Sequence, residues 1–366
     1  MNLTEARTRF LSDAAKYAEL GAHALDTVVA FTPPEFKRNY AAFEGAMDAQ
    51  PALFTTPNNG VPAFLTTLID PDIYEILFSP NKAAIIFGEN KKGSWLDDAA
   101  VFPVVEHVGE VSSYGDYANS GHASANTNWP NRQSYLFQTV KQYGERELER
   151  AGLARINWVG EIDKAAATVL NKYQNLTYFF GVQGLQNYGL LNDPNLSAAL
   201  SPSLKAHGGV KWVINGVVVA TAEEIYKDIQ SIFIGLVQQS GGLIDKETPV
   251  TLAMSPESEM ALTATNSFNV NVSDLLKKNF PNLKVVTAVQ YGALSASNPQ
   301  GVAAGNFVQM IAGNIEGQDT GYMAFNEKMR AHQIVPGMSN WMQKVTGGTW
   351  GAIVRMPAAI KSMVGV

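Results

Sequence analysis

The residues that could do chemistry are few, and their spacing does not suit it. The five histidines are His23, His107, His122, His207 and His332. A helical zinc site needs two of them at i and i+4, and no pair has that spacing. Asp97-Asp98 has the form of paired carboxylates for acid–base work. It sits near Lys91-Lys92 ahead of a polar stretch and reads as a solvated turn. Glu145, Glu147 and Glu149 interleave with Arg146 and Arg150 as the exposed face of a short helix. There is no cysteine, which removes thiolate nucleophiles, thiolate metal sites and disulfides together. No Gly-rich loop ends in Lys-Ser/Thr, and no Gly-x-Ser-x-Gly elbow occurs. Gly181-Val-Gln-Gly184 follows a helix instead of joining strand to helix, so it fails as a dinucleotide loop. The sequence predicts no catalytic residue, no metal and no cofactor.

Composition narrows the classes further. The chain has 366 residues, 46% of them hydrophobic, enough for a sizeable core in one large domain or two intertwined ones. Only 16% are charged, well below the usual quarter. Extensive subunit contacts and a fold rich in Gly, Ala and Asn account for that equally well. The net charge of −6 gives no basic excess for reading nucleic acid. The first thirty residues carry Glu5, Arg7, Arg9, Asp13, Lys16, Glu19 and Asp26, unlike a secretory signal. The longest uncharged stretch, 285–315, is broken by Gly, Ser, Asn, Gln and Pro and does not read as a membrane span.

The elements that would position any site fall in a distinctive order. Residues 2–30 read as a helix with Phe10, Ala14, Tyr17, Leu20 and Ala24 along one face. From 31 to 71, six prolines and a steady supply of aromatics (Phe36, Tyr40, Phe43, Phe54, Phe64) predict an extended arm lying across an apolar surface. Two β-prone runs, Val101–Val111 and Ser134–Val140, flank a polar stretch at 112–131 that reads as a long mobile tip. Ile162, Ala166, Val169, Leu170, Tyr173, Leu176, Thr177 and Phe180 then step by three and four along one long helix. Beyond it helices and strands alternate. Thr221–Glu224 is a capping box, Ser255-Pro256 starts a helix, and Leu283–Val289 and Phe307–Ala312 are strands. The class is α+β or α/β, a central sheet with flanking helices.

This order, with the passage Phe180-Gly181-Val-Gln-Gly-Leu185 into Tyr188-Gly189-Leu190-Leu191-Asn192-Asp193-Pro194, resembles the major capsid protein of tailed bacteriophages, the Hong Kong 97-like fold. Pro249–Leu262 and the tail Trp350–Val366, with Arg355-Met-Pro357, are similar to pieces of that family. The resemblance implies an N-terminal helix at 1–30 and an extended N-arm at 31–69. It implies a peripheral domain at 70–98 and 143–189 with a spine helix at 158–181, and an E-loop at 99–142. An axial domain at 190–335 and a C-terminal segment, 336–366, returning to the periphery complete it.

The implied function is a head protein assembling as pentamers and hexamers into an icosahedral shell around double-stranded DNA. It would assemble in the host cytoplasm and reside in the virion. Its partners would be itself, a portal, scaffold and decoration proteins, with packaged DNA close by and no membrane. An encapsulin-type nanocompartment shell and, more distantly, a soluble α/β enzyme are the alternatives. Expected inter-subunit contacts are Phe36, Tyr40, Phe43 and Phe54 on the arm, Glu106, Glu110, Asp116 and Arg132 on the excursion, and Lys344 and Arg355 near the C-terminus. Residues 96–140 carry five acidic residues against Arg132, and residues 326–366 carry five basic ones against Glu327, so the two are expected to attract between copies. Some members of the family weld their shells through an E-loop lysine. Residues 99–140 contain none, and an arginine stays protonated, so a non-covalent shell is expected.

Overall fold

The computed structural model describes residues 22–25, 28–31 and 80–366, apart from 118 and 155. Residues 1–80 and 81–366 form separate units. In the first, β1 (Ala22–Leu25) pairs antiparallel with β2 (Val28–Phe31). This corrects the end of the helix expected over 1–30. Val28 and Val29 are β-branched neighbours, stiff at χ1 and better suited to a strand. The remainder of that helix, and the arm residues Phe36, Tyr40, Phe43 and Phe54, lie outside the described residues.

The second unit begins with α1 (Ala83–Phe87) and β3 (Glu89–Lys91). A ribbon follows, outward through β4 (Ala99–Val101) and β5 (Val104–Gly109) and back through β6 (Ala123–Asn128) and β7 (Asn131–Gln133). Next come β8 (Tyr135–Gly144), α2 (Glu145–Leu153) and α3 (Trp158–Phe180). The following stretch holds β9 (Val213–Ile214), β10 (Val217–Val218), α4 (Ala222–Gln239), β11 (Val250–Met254), α5 (Pro256–Met260) and α6 (Val272–Asn279). Then come β12 (Leu283–Thr287), β13 (Phe307–Ala312), β14 (Asn314–Ile315) and β15 (Gln318–Asp319). The chain closes with β16 (Gly321–Pro336), β17 (Asn340–Val354) and β18 (Ile360–Val364).

Two four-stranded sheets organise these elements. One has the order β3-β16-β17-β8, built on the long β16–β17 hairpin. Helix α3, about 35 Å long at 1.5 Å per residue, lies across it. Its Leu170 packs with Phe137 and Val345, and Tyr173 lies 4.8 Å from the Phe137 ring. The Asn157 side chain caps its start by accepting from the Gly160 N–H at 3.2 Å. The expected apolar face holds except at Val169, which points to solvent.

The chain reverses hard after α3. Gly181 takes φ 64°, a conformation that favours glycine. At Gly189 a Cβ would stand 2.2 Å from the Phe179 carbonyl carbon, so only glycine lets the return strand touch the helix end. Asn192 locks the reversal: its side chain accepts from Gly189 N–H at 2.7 Å and donates to the Phe180 carbonyl at 2.6 Å.

The other sheet has the order β12-β11-β13-β18, with β11 and β12 parallel and the other pairs antiparallel. Its core joins Leu252, Met254, Val308 and Met310 to Ile225, Ile229, Ile232 and Leu236 of α4. The Thr221–Glu224 capping box starts that helix, with Thr221 N–H to Glu224 Oε2 at 2.8 Å. A buried Lys205–Asp228 ion pair, with Ser203 and Trp212 also donating to Asp228, ties the preceding loop to α4.

This pairing corrects the expected domain limits at two places. Gly321–Pro336 belongs to the α3 sheet, not to a unit ending at 335. Ile360–Val364 joins the other sheet beside β13 instead of returning to the periphery. Ile360, Ser362 and Met363 are all buried, and a short strand buried on both faces needs a covered sheet to enter.

The excursion is corrected too. Its returning strand is β6 and β7, paired to β5 and β4, while Ser134–Val140 is mostly β8 and belongs to the α3 sheet. Tyr135, Phe137, Thr139 and Lys141 alternate toward α3, whereas Ala123–Asn128 has no apolar residue larger than alanine and gives no periodic signal.

Candidate assembly surfaces

The ribbon's root is clamped and its length is bare. At the root Phe102 is buried with Tyr322, Ala324, Trp350 and Ile353. Ser134 N–H donates to the Asp98 carbonyl at 2.8 Å and Gln133 N–H to the Gln186 carbonyl at 3.0 Å. Arg132 donates to Asp193 at 2.8 Å, and its guanidinium lies 4.8 Å from the Tyr188 ring centre. The expectation that Arg132 contacts another subunit is therefore corrected. Its side chain is 7% exposed and that of Asp193 0%: the pair fastens the ribbon to the turn after α3 within one chain. Asp193 was not anticipated, although it lies in the Asn192-Asp193-Pro194 turn that marked the resemblance.

Beyond the root, every residue of β6 is exposed, and so is all of β5 except half-buried Val104. Val105, Val108, Val111, Tyr114, Tyr117 and Trp129 show large apolar surface to solvent. Glu106, Glu110 and Asp116 are exposed among them. Tyr114 donates to Asp116 at 2.7 Å, and that bond raises the Tyr114 pKa. A two-stranded ribbon with no face packed is marginal alone in water.

A second surface is the side of the α3 sheet turned away from the helix. Phe137 and Lys141 face α3, so by alternation Leu136, Gln138, Val140 and Gln142 face outward. Cross-strand partners share a face. Val140 is paired with Lys344, Gln142 with Met342, and Met342 with Val335. Leu136, Val140, Val335 and Met342 are all exposed, and Lys344 stands among them. Arg330 joins the same face opposite Thr346, its guanidinium 4.9 Å from the Trp95 ring.

The other C-terminal cations do not form one patch with these. Lys328 is paired with Glu89, and Lys361 donates to Ser197 and the Ala198 carbonyl. Arg355 is exposed but lies 5.1 Å from the Tyr322 ring at the far end of β17. Eleven positions separate it from Lys344, about 35 Å of extended chain. Lys344 and Arg355 are thus not brought together.

The residues considered for chemistry are also placed. Asp97 accepts the Ser94 N–H at 2.6 Å, and Asp98 offers its carbonyl to Ser134, so both are turn residues. His332 sits against Thr346 and Trp95. Lys141, just past the lysine-free stretch, is buried and held by Asp163 at 2.5 Å. Burial raises the Tyr173, Tyr178 and Tyr291 hydroxyl pKa values and lowers that of Lys172. Among the described residues no group of three or more His, Asp or Glu could hold a metal, and no helix is long and apolar enough to cross a membrane.

The family model of the Pa193 gp26 major capsid protein matches residues 52–365. The chain belongs to that family. It is a phage major capsid protein, and its α+β architecture is the Hong Kong 97-like one. The capsid of Myoviridae phage XM1 superposes with a TM-score of 0.65 at 14% identity, covering 84% of this chain and 100% of that one. The capsid of a native GTA particle gives 0.54 at 11% identity, with 87% and 98% covered. A structure from Mycobacterium phage Ogopogo gives 0.52 at 9%, with 82% and 96% covered. No curated protein matches. At such identities the fold is shared while the contact residues are this chain's own.

Proposed function

We propose that this capsid protein assembles as pentamers and hexamers into a closed icosahedral head around double-stranded DNA, without catalysis. In this reading the α3 sheet is the peripheral domain and α3 the spine helix. The β12-β11-β13-β18 sheet with α4 and α6 is the axial domain, the ribbon from 99 to 133 is the E-loop, and 32–69 is the N-arm. The virion is its destination and the host cytoplasm its place of assembly. Portal, scaffold and decoration proteins are its partners besides itself.

The observation that carries the reading is the ribbon, clamped only at its root and apolar and acidic along its length. We take its receptor to be the open face of the α3 sheet on a neighbouring copy. There Leu136, Val140, Val335 and Met342 would meet the ribbon's valines, and Lys344 and Arg330 its Glu106 and Glu110. Full burial is worth roughly 1.5–3 kcal/mol per large apolar side chain. The rim charges would set approach and register, and weaken with salt.

The test replaces residues 104–128 by a short Gly-Ser turn. Folded subunits that form no shells, together with slower assembly of Lys344→Glu at low salt, are expected. Normal shells from the ribbon-less chain would overturn the reading.

A further inference from the structure

The axial-type half carries its own pair of complementary features, at opposite ends of α6. At the C-terminal end lies a groove of about 380 Å³ between α4 and α6, floored by Phe233 and Phe280 and edged by Tyr226 and Ile234. The two phenyl rings lie 4.8 Å apart, and Asn279 donates to the Tyr226 hydroxyl at 2.7 Å, so the floor is fixed. Ile234 is 54% exposed. The charged residues lining the groove are Lys246 and Lys278, and neither is ion-paired within the described residues. Asp245, beside Lys246, is occupied in its own turn, accepting from the backbone N–H groups of Glu247 and Thr248.

At the N-terminal end of α6, about 12 Å away along an eight-residue helix, the turn before it presents a bare aromatic. Phe268 is 86% exposed. Its turn is rigid: the Asn266 side chain accepts from Phe268 N–H at 2.9 Å and Val270 N–H at 3.0 Å, and Asn266 N–H donates to the Val270 carbonyl at 3.0 Å. Helix α5, which leads into the turn, exposes Glu257, Glu259 and a Met260 that is 58% exposed. A preorganised aromatic in a turn that follows an acidic helix suits an aromatic groove lined by lysines.

We propose that the Phe268 turn of one copy seats in the α4–α6 groove of the next copy around a ring, with Glu257 and Glu259 facing Lys246 and Lys278. Knob and groove are different surfaces of one domain. The contact is therefore heterologous and propagates head to tail until rotation closes it. This deepens the shell reading above and rests on it, since it names the contact between neighbours within a pentamer or hexamer.

The chain's lack of cysteine supplies the test. Ser267→Cys, beside Phe268 and exposed, introduces a single thiol. Its maleimide labelling should be at least tenfold slower in assembled particles than in free subunits. Phe268→Ala should raise the concentration needed for assembly at least tenfold while the free subunit unfolds as the parent does. Lys246→Glu with Lys278→Glu should do the same, and adding Glu257→Lys and Glu259→Lys to that chain should recover assembly. Equal labelling of particles and subunits, or Phe268→Ala assembling at the parent concentration, would overturn the proposal. Failure of the unaltered chain to form any particle would instead overturn the shell reading beneath it.

Discussion

Replacing Arg132 by Met should loosen the ribbon at its root. The substitution keeps most of the aliphatic stem but leaves the Asp193 carboxylate, 0% exposed, without its cation. Asp193 would keep only the Asn195 N–H, at 2.9 Å. Removing one partner of a buried ion pair costs about 3–5 kcal/mol, most of it the penalty of the abandoned charge. The guanidinium's stacking on Tyr188 is lost as well, at about 0.5–2 kcal/mol. Asp193→Asn should cost less on the ribbon side, since an amide oxygen can still accept from Arg132. Arg132→Met with Asp193→Leu should recover much of the loss, because both charges leave together. The assay is urea unfolding of unassembled subunits, read with limited proteolysis across 99–133. A lowered midpoint and faster cleavage near β4 and β7 are expected for Arg132→Met. A loss under about 1 kcal/mol, or a double variant no better than the single, would refute it.

Other outcomes follow from the same geometry. Gly189→Ala should yield insoluble or strongly destabilised protein, checked by solubility and thermal unfolding, because its Cβ would collide with the Phe179 backbone. Thr221→Val should cost about 1 kcal/mol by removing the α4 cap. The Thr221 N–H, first, and other hydrogen bonds hold the Glu224 pKa below its usual value. Its contribution to stability is thus present above the ordinary glutamate pKa and lost as pH falls through the lowered one. Because valine at 221 keeps the backbone N–H that is the first cause, an NMR titration should find Glu224 still below the ordinary value in Thr221→Val. Deleting 31–64 should leave residues 81–366 folded, by circular dichroism, and abolish particles. Particles boiled in denaturant should run as one band near 39.6 kDa, since residues 99–140 contain no lysine and Lys141 is buried on Asp163; a ladder of multiples would contradict a non-covalent shell.

What the sequence made legible was whatever repeats with a period. Helix α3, with its three-and-four spacing, and the Thr221 capping box can both be read from residue types alone. The ribbon's return strand cannot: Ala-Ser-Ala-Asn-Thr-Asn buries nothing in its own chain, so no face is marked by hydrophobicity. The sheet partners of β16 and β18 were hidden for another reason. Which strand lies beside which is a tertiary choice that residue type does not mark. Charge was legible as a sum but not as a surface. Five C-terminal cations looked like one patch, yet Lys328 and Lys361 are engaged elsewhere and Arg355 lies at the other end of β17 from Lys344. Of the open face, Leu136 and Val140 are legible in the alternation of Tyr135–Tyr143 as a sheet strand, whereas Val335 and Met342 join them only through strand pairing.

The most direct test of the central claim is negative-stain electron microscopy of the purified full-length chain across a concentration series, with sedimentation run alongside. The account predicts closed, hollow shells of uniform diameter above a threshold concentration, built from fivefold and sixfold rings. A single small species at every concentration and salt tested, with the ribbon protected from protease in it, would contradict the account.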